Sequence, residues 1–89
     1  MEEDKIVVNV NGEEKTFYKL ITFKSNLTNK KYLIFSDDSK NIYSSIIEND
    51  NDNIKLLNLE NEDDYEEVKK ALIQTKTSFE EVKTIEGVY

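Results

Sequence analysis

The chain has no cysteine, histidine, arginine, proline or tryptophan, and only two glycines in 89 residues. Each absence removes a class of chemistry. Without cysteine there is no disulfide, and without cysteine or histidine there is no structural zinc site. The same gaps exclude the Ser–His and Cys–His pairs that activate a nucleophile. Gly12 and Gly87 are too far apart to build a phosphate-cradling loop. The missing arginine takes with it the bidentate fork that reads guanine and phosphate. With a net charge of −7, this argues against direct nucleic-acid binding. No apolar run approaches the roughly 18 residues of a membrane span. The acidic opening Met1-Glu2-Glu3-Asp4-Lys5 matches neither a signal nor a transit peptide. These features point to a cytoplasmic protein with no membrane contact and no cofactor.

What remains is β-branched and aromatic residues, a composition suited to a pleated surface. The chain reads as one domain, residues 1–89, of the α+β class. An antiparallel β-meander of about five strands fills 5–59, because short connections favour sequential order. Lys5 to Val10 and Lys15 to Ser25 form a hairpin about Asn11-Gly12, the dipeptide that best accepts a type I′ turn. Strict alternation places Phe17, Lys19, Ile21 and Phe23 on one face, and Tyr18 and Leu20 on the other. Lys31-Tyr32-Leu33-Ile34-Phe35 is apolar on both faces and reads as a central strand. Asp37-Asp38-Ser39-Lys40 is a turn, and Asn41 to Ile47 a fourth strand with Ile42 and Ile46 opposite Tyr43 and Ile47. Asn49 to Asn53 is a polar loop before a fifth strand over Ile54 to Leu59.

The period then changes. An amphipathic helix is expected over 61–77 and packs on one face of the sheet. Asn61 caps it, with Asp64 three residues on completing a capping box, and Glu62, Asp63 and Asp64 oppose the positive end of its dipole. Tyr65, Val68, Leu72 and Phe79 make the buried stripe, with Ala71 and Ile73 beside it, and Glu66–Lys70 is an i,i+4 pair. Ser78 to Glu81 suit a further helical turn. Residues 78–89 form the tail of the domain, in which Thr84 to Tyr89 read equally as a frayed end or as an edge strand.

Carboxylates are the remaining candidates for chemistry. The candidate metal ligands are Asp37, Asp38, Asp50 and Asp52, which in pairs suit Mg²⁺ or Ca²⁺ and would support a divalent-metal-dependent hydrolase. Asn49 to Glu60 has part of the spacing of a calcium loop, but asparagine stands where the first aspartate belongs and Ile54 where the glycine belongs. Turn chemistry explains Asp37-Asp38, and helix-start chemistry explains Glu62-Asp63-Asp64. Tyr32 and Tyr65 read as core residues with hydroxyls at its rim, and Tyr18 and Tyr43 as surface anchors.

The charge itself is uneven. Residues 1–45 carry seven acidic side chains and seven lysines, whereas 46–89 carry twelve acidic side chains and five lysines. The leading functional expectation is therefore a non-catalytic protein-protein interaction or regulatory module, not an enzyme. Its protein partner is met either at an exposed strand edge, by adding a strand, or on an acidic face containing Glu66, Glu67, Glu80 and Glu81, which suits a basic patch. The plainer reading of that face is a solvated surface that keeps the protein soluble. Self-association through the edge of Lys5–Val10 is a further expectation.

The order of residues also resembles a known family. Phe17 with Leu20-Ile21-Thr22-Phe23, then Lys30-Lys31-Tyr32-Leu33-Ile34, Ile42-Tyr43 and the run Leu57 to Val68 are similar to the YrzB-like family of small bacterial proteins, domain of unknown function 1292. The chain departs from that pattern at Tyr65 (usually Trp), Asn58 (commonly Pro) and Lys19 (usually apolar). The resemblance implies a cytosolic bacterial protein with no assigned activity, often encoded beside a Holliday-junction-resolvase-like nuclease. It supplies no functional residue.

Overall fold

The computed structural model describes residues 5–89. Residues 1–4, most of the acidic opening, lie outside the described residues. The strands are β1 (Lys5–Val10), β2 (Glu13–Lys24), β3 (Lys31–Ser36), β4 (Ile42–Asp50) and β5 (Asn53–Leu57). A helix, α1 (Glu62–Gln74), follows, and then two short strands, β6 (Val82–Thr84) and β7 (Gly87–Val88).

The sheet is not an open meander. Neighbours run β3-β2-β1-β7-β5-β4, and β3 also pairs with β4, so six antiparallel strands close into a barrel. The seventh strand, β6, lies parallel to the start of β4. Closure depends on β7, which fills the gap between β1 and β5. The segment left open between tail and edge strand is therefore the element that closes the ring. Ser78 to Glu81 form no helical turn. The β1 edge, expected to be free for self-association, is taken by β7 at Asn9–Val88.

The Asn11-Gly12 turn forms as expected, with φ of 52° and 85°. The polar loop at 49–53 is shorter than expected: Asp50 pairs with Asn53, so only Asn51 and Asp52 turn the chain. Strand pairing of Asn49 with Ile54 is incompatible with a calcium loop running through these residues.

A β-bulge corrects the expected facing of β2. Lys19 pairs with Phe35 and Ile21 with Ile34, which leaves Leu20 as the extra residue. Phe17 therefore points into the barrel, while Ile21 and Phe23 pack in the layer under α1. Lys19, which spoiled an otherwise apolar face, sits exposed at the bulge.

Two apolar clusters result, back to back across β3. Inside the barrel lie Ile6, Val8, Phe17, Leu33, Phe35 and Leu56. Phe17 meets Phe35 edge-on at 4.9 Å, and Tyr43 stacks on Phe35 at 5.7 Å. Tyr43 is thus half-buried, its ring packed against this cluster. Outside the barrel, Tyr32, Ile34, Ile42 and Ile46 are covered by Val68 and Leu72 of α1. Both helix residues are 0% exposed, and burial of each contributes about 1.5–3 kcal/mol. Ile73, expected beside the stripe, is 67% exposed because it falls on the solvent side of the helix.

The helix begins with the full capping box, Asn61 accepting from the Asp64 amide and Asp64 from the Asn61 amide. It ends in a Schellman arrangement. The amides of Lys76 and Thr77 donate to Ile73 and Leu72 carbonyls at 3.0 and 2.9 Å, with Lys76 at φ 57°.

Candidate functional site

The helix start and the β2–β3 loop are joined by polar contacts. Asp64 is 0% exposed, and its carboxylate accepts five hydrogen bonds from four donors on three segments. The Tyr32 hydroxyl donates to Oδ1 at 2.5 Å, and the Glu60 and Asn61 amides donate to Oδ2 at 2.8 and 3.2 Å. Lys30 Nζ lies 3.3 and 3.4 Å from the two oxygens and 2.9 Å from Glu60. Thr28 shares a hydrogen bond of 2.7 Å with the Tyr32 hydroxyl. Burial alone would raise the Asp64 carboxyl, but the hydrogen bonds from Tyr32, the two amides and Lys30 outweigh it and hold the group below the usual carboxylate range. Burial first, and Asp64 second, push the Tyr32 phenol up to about 12. A dry carboxylate with its lone pairs occupied is no general base. It fastens the helix to the sheet.

Glu67 makes the second fastening. It accepts from Ser25 Oγ at 2.6 Å and pairs with Lys70 at 2.9 Å, and these contacts hold its carboxyl low. The pair formed on the helix is therefore Glu67–Lys70 at i,i+3, not the expected Glu66–Lys70. Ser25 also accepts from the amides of Leu27 and Thr28, so one hydroxyl shapes the loop and ties it down. A groove of about 640 Å³ opens beside this contact, floored by Ile21, Phe23 and Ala71 with Leu27, Lys24 and Lys70 at its sides.

The four residues singled out as a partner face differ in their settings. Glu66 is exposed on the helix, whereas Glu67 is turned into the loop contact. Glu80 and Glu81 line a different hollow, of about 450 Å³, with Lys40 and Lys83. Exposed carboxylates on α1 are instead Glu62, Asp63 and Glu66, and none of them has a lysine within 4 Å among the described residues. Acidic first-turn composition marked two of these residues in the sequence. Nothing local marked Glu67 as spoken for, because its partner Ser25 is 42 positions away.

The candidate metal ligands are likewise dispersed. Asp37 accepts from the amides of Ser39 and Asn41, from the Asn41 side chain, and from Tyr43 at 3.3 Å. Those bonds, the Asn41 side chain first, hold it below the usual range. Asp38 and Asp52 are exposed in separate turns, and the Asp50 side chain lies outside the described residues. No group of three or more metal-ligating side chains forms among the described residues. Nor, among them, is any helix long and apolar enough to cross a membrane.

A family profile described as a protein of unknown function, DUF1292, matches residues 11–75. The chain belongs to the DUF1292 family. The matched region spans β2 to α1 and includes the whole of both fastenings, whereas β1, β6 and β7 lie outside it. No curated protein and no solved structure matches the chain.

Proposed function

We propose that this DUF1292 protein is a cytoplasmic, non-catalytic module that binds a basic protein partner through the first half of α1. The observation that carries this reading is the contrast in carboxylates around the helix start. Glu60, Asp64 and Glu67 are committed to lysine, tyrosine, serine or backbone donors. Glu62, Asp63 and Glu66 are exposed and form no salt bridge among the described residues, with only Lys70 in longer Coulombic reach of Glu66. Unpaired charge of one sign on a rigid element steers an oppositely charged partner and orients it. Rigidity is supplied by the capping box and by the Asp64 and Glu67 contacts beneath.

Affinity capture with the tagged protein tests the proposal when paired with a triple reversal, Glu62→Lys, Asp63→Lys and Glu66→Lys. None of these side chains makes a hydrogen bond or salt bridge among the described residues, so the variant is expected to fold, at a cost of about 0.3–1 kcal/mol for each first-turn charge turned against the helix dipole. Partner binding should weaken by about tenfold or more and should fall with added salt in the wild type. Glu67→Lys is unsuitable as a control, since it would also break the loop contact. Capture that is indifferent to both the reversal and salt would overturn the reading.

A further inference from the structure

The barrel is closed by the weakest of its strands. β7 has two residues and pairs with Asn9 on one side and with Lys55 and Leu56 on the other. The Tyr89 amide adds one bond to the Ile54 carbonyl at 2.8 Å. No hydrophobic residue beyond Leu72 belongs to the fully buried core, and Val88 and Tyr89 are 45% and 41% exposed. Apolar inward contacts of residues 79–89 come from half-buried Phe79, Val82 and Ile85, with Ser45 Oγ donating to the Ile85 carbonyl at 2.6 Å and the Leu59 amide donating to Thr84 Oγ1 at 2.9 Å. Little apolar surface thus holds the piece that covers two strand edges.

The slot is nonetheless selective. A Cβ on Gly87 would lie 2.6 Å from the Asn9 carbonyl oxygen and 2.7 Å from Val8 Cγ1. Both neighbours are fixed, one as backbone and the other as a side chain that is 0% exposed. An extended segment entering between β1 and β5 must therefore carry glycine at this register. The segment of this chain that meets the requirement is its own Ile85-Glu86-Gly87-Val88-Tyr89.

We infer that the β1–β5 gap is a glycine-selective strand-acceptor slot, filled within the chain by residues 85–89 and open in exchange to the same segment of a second copy. Two identical segments compete on equal terms for one slot, so exchange between copies costs only the entropy of association. The outcome is a reciprocal dimer in which each barrel is closed by its partner's strand, a form of strand addition.

The test uses the full chain, ¹⁵N-labelled, and a synthetic peptide of residues 82–89 in two forms, natural and with Gly87→Ala. The natural peptide should give saturable shifts at Asn9 and at Ile54 to Leu56, while the protein's own 87–89 signals move to new positions. The alanine peptide should bind at least about tenfold more weakly, since the overlap it introduces has no soft neighbour to relieve it. Sedimentation of the unmodified chain over rising concentration should show a monomer–dimer equilibrium. A full-length Gly87→Ala variant, if folded, should bind the natural peptide more tightly than the wild type does. Equal response to both peptides, no response at saturating natural peptide, or strictly monomeric sedimentation would each overturn the inference.

Discussion

The Tyr32 hydroxyl donates to Asp64 Oδ1 at 2.5 Å, and neither side chain has any exposed surface. The bond joins β3, under the helix, to the first turn of the helix itself. Truncation from the two ends should differ in cost. Asp64→Ala leaves the Glu60 and Asn61 amides without their acceptor and takes one partner each from the Tyr32 hydroxyl and the Lys30 ammonium, which keep Thr28 and Glu60, and should cost about 3–5 kcal/mol. Tyr32→Phe removes one donor to a carboxylate that keeps its others, and should cost about 1.5–3 kcal/mol. Urea unfolding monitored by circular dichroism measures both. Equal losses would mean that the backbone donors contribute nothing.

Stability should fall at both ends of the pH scale for nameable reasons. Asp64, Asp37 and Glu67 are held below their ordinary values by hydrogen bonds in the fold. Their contribution is complete above the unfolded carboxylate range and is lost as pH falls through the folded values. Tyr32 runs the other way, with a folded value of about 12. Its contribution is complete below the unfolded value near 10 and disappears as pH rises from there towards 12. Lys30 is also raised, chiefly by its bond to Glu60, and adds to the alkaline loss. Urea midpoints across pH should give a plateau with two falling limbs, and Asp64→Asn should flatten the acid limb.

Lys76 occupies the left-handed position that ends the helix, with φ 57°. Glycine is the residue usually found there, because a Cβ makes this conformation costly. Lys76→Gly should therefore stabilise the protein by about 0.5–1 kcal/mol, less whatever the freer unfolded chain takes back. A thermal scan should show a higher midpoint. A lower one would mean that the lysine side chain has a role the backbone does not reveal.

The bulge in β2 makes an unusual prediction about deletions. Leu20 has no cross-strand partner, so its removal leaves Phe17 facing the barrel and Ile21 and Phe23 facing the helix. Deleting Thr22 instead would turn Phe23 to the wrong face. The Leu20 deletion should keep a cooperative urea transition, and the Thr22 deletion should lose it or shift it far lower. Equal damage from both would show that the curvature of the bulge, not the facing, is what matters.

How much of this was legible in the sequence depends on how local each feature is. Asn61 and Asp64 announce the helix start because capping is settled within four residues. Asn11-Gly12 announces its turn for the same reason. The two-faced burial of β3 was visible as an unbroken apolar run. The bulge was not, since strict alternation is the default and one inserted residue leaves no compositional mark. Barrel closure was hidden because β6 and β7 are three and two residues long, too short for any period to show. Asp64 looked like a capping residue only, because the tyrosine and lysine that bury its charge lie 32 and 34 positions earlier. The Ser25–Glu67 bond was hidden by the same kind of long-range separation.

β3 is sealed on both faces. Its residues Tyr32 to Phe35 are at most 1% exposed, with the barrel filling on one side and the helix on the other. A strand walled in this way has no route to local opening, so its amides can exchange with solvent only when the entire molecule comes apart. Helix layer and barrel therefore share one melting event, and this chain should behave as a single cooperative unit despite having two separate oily compartments.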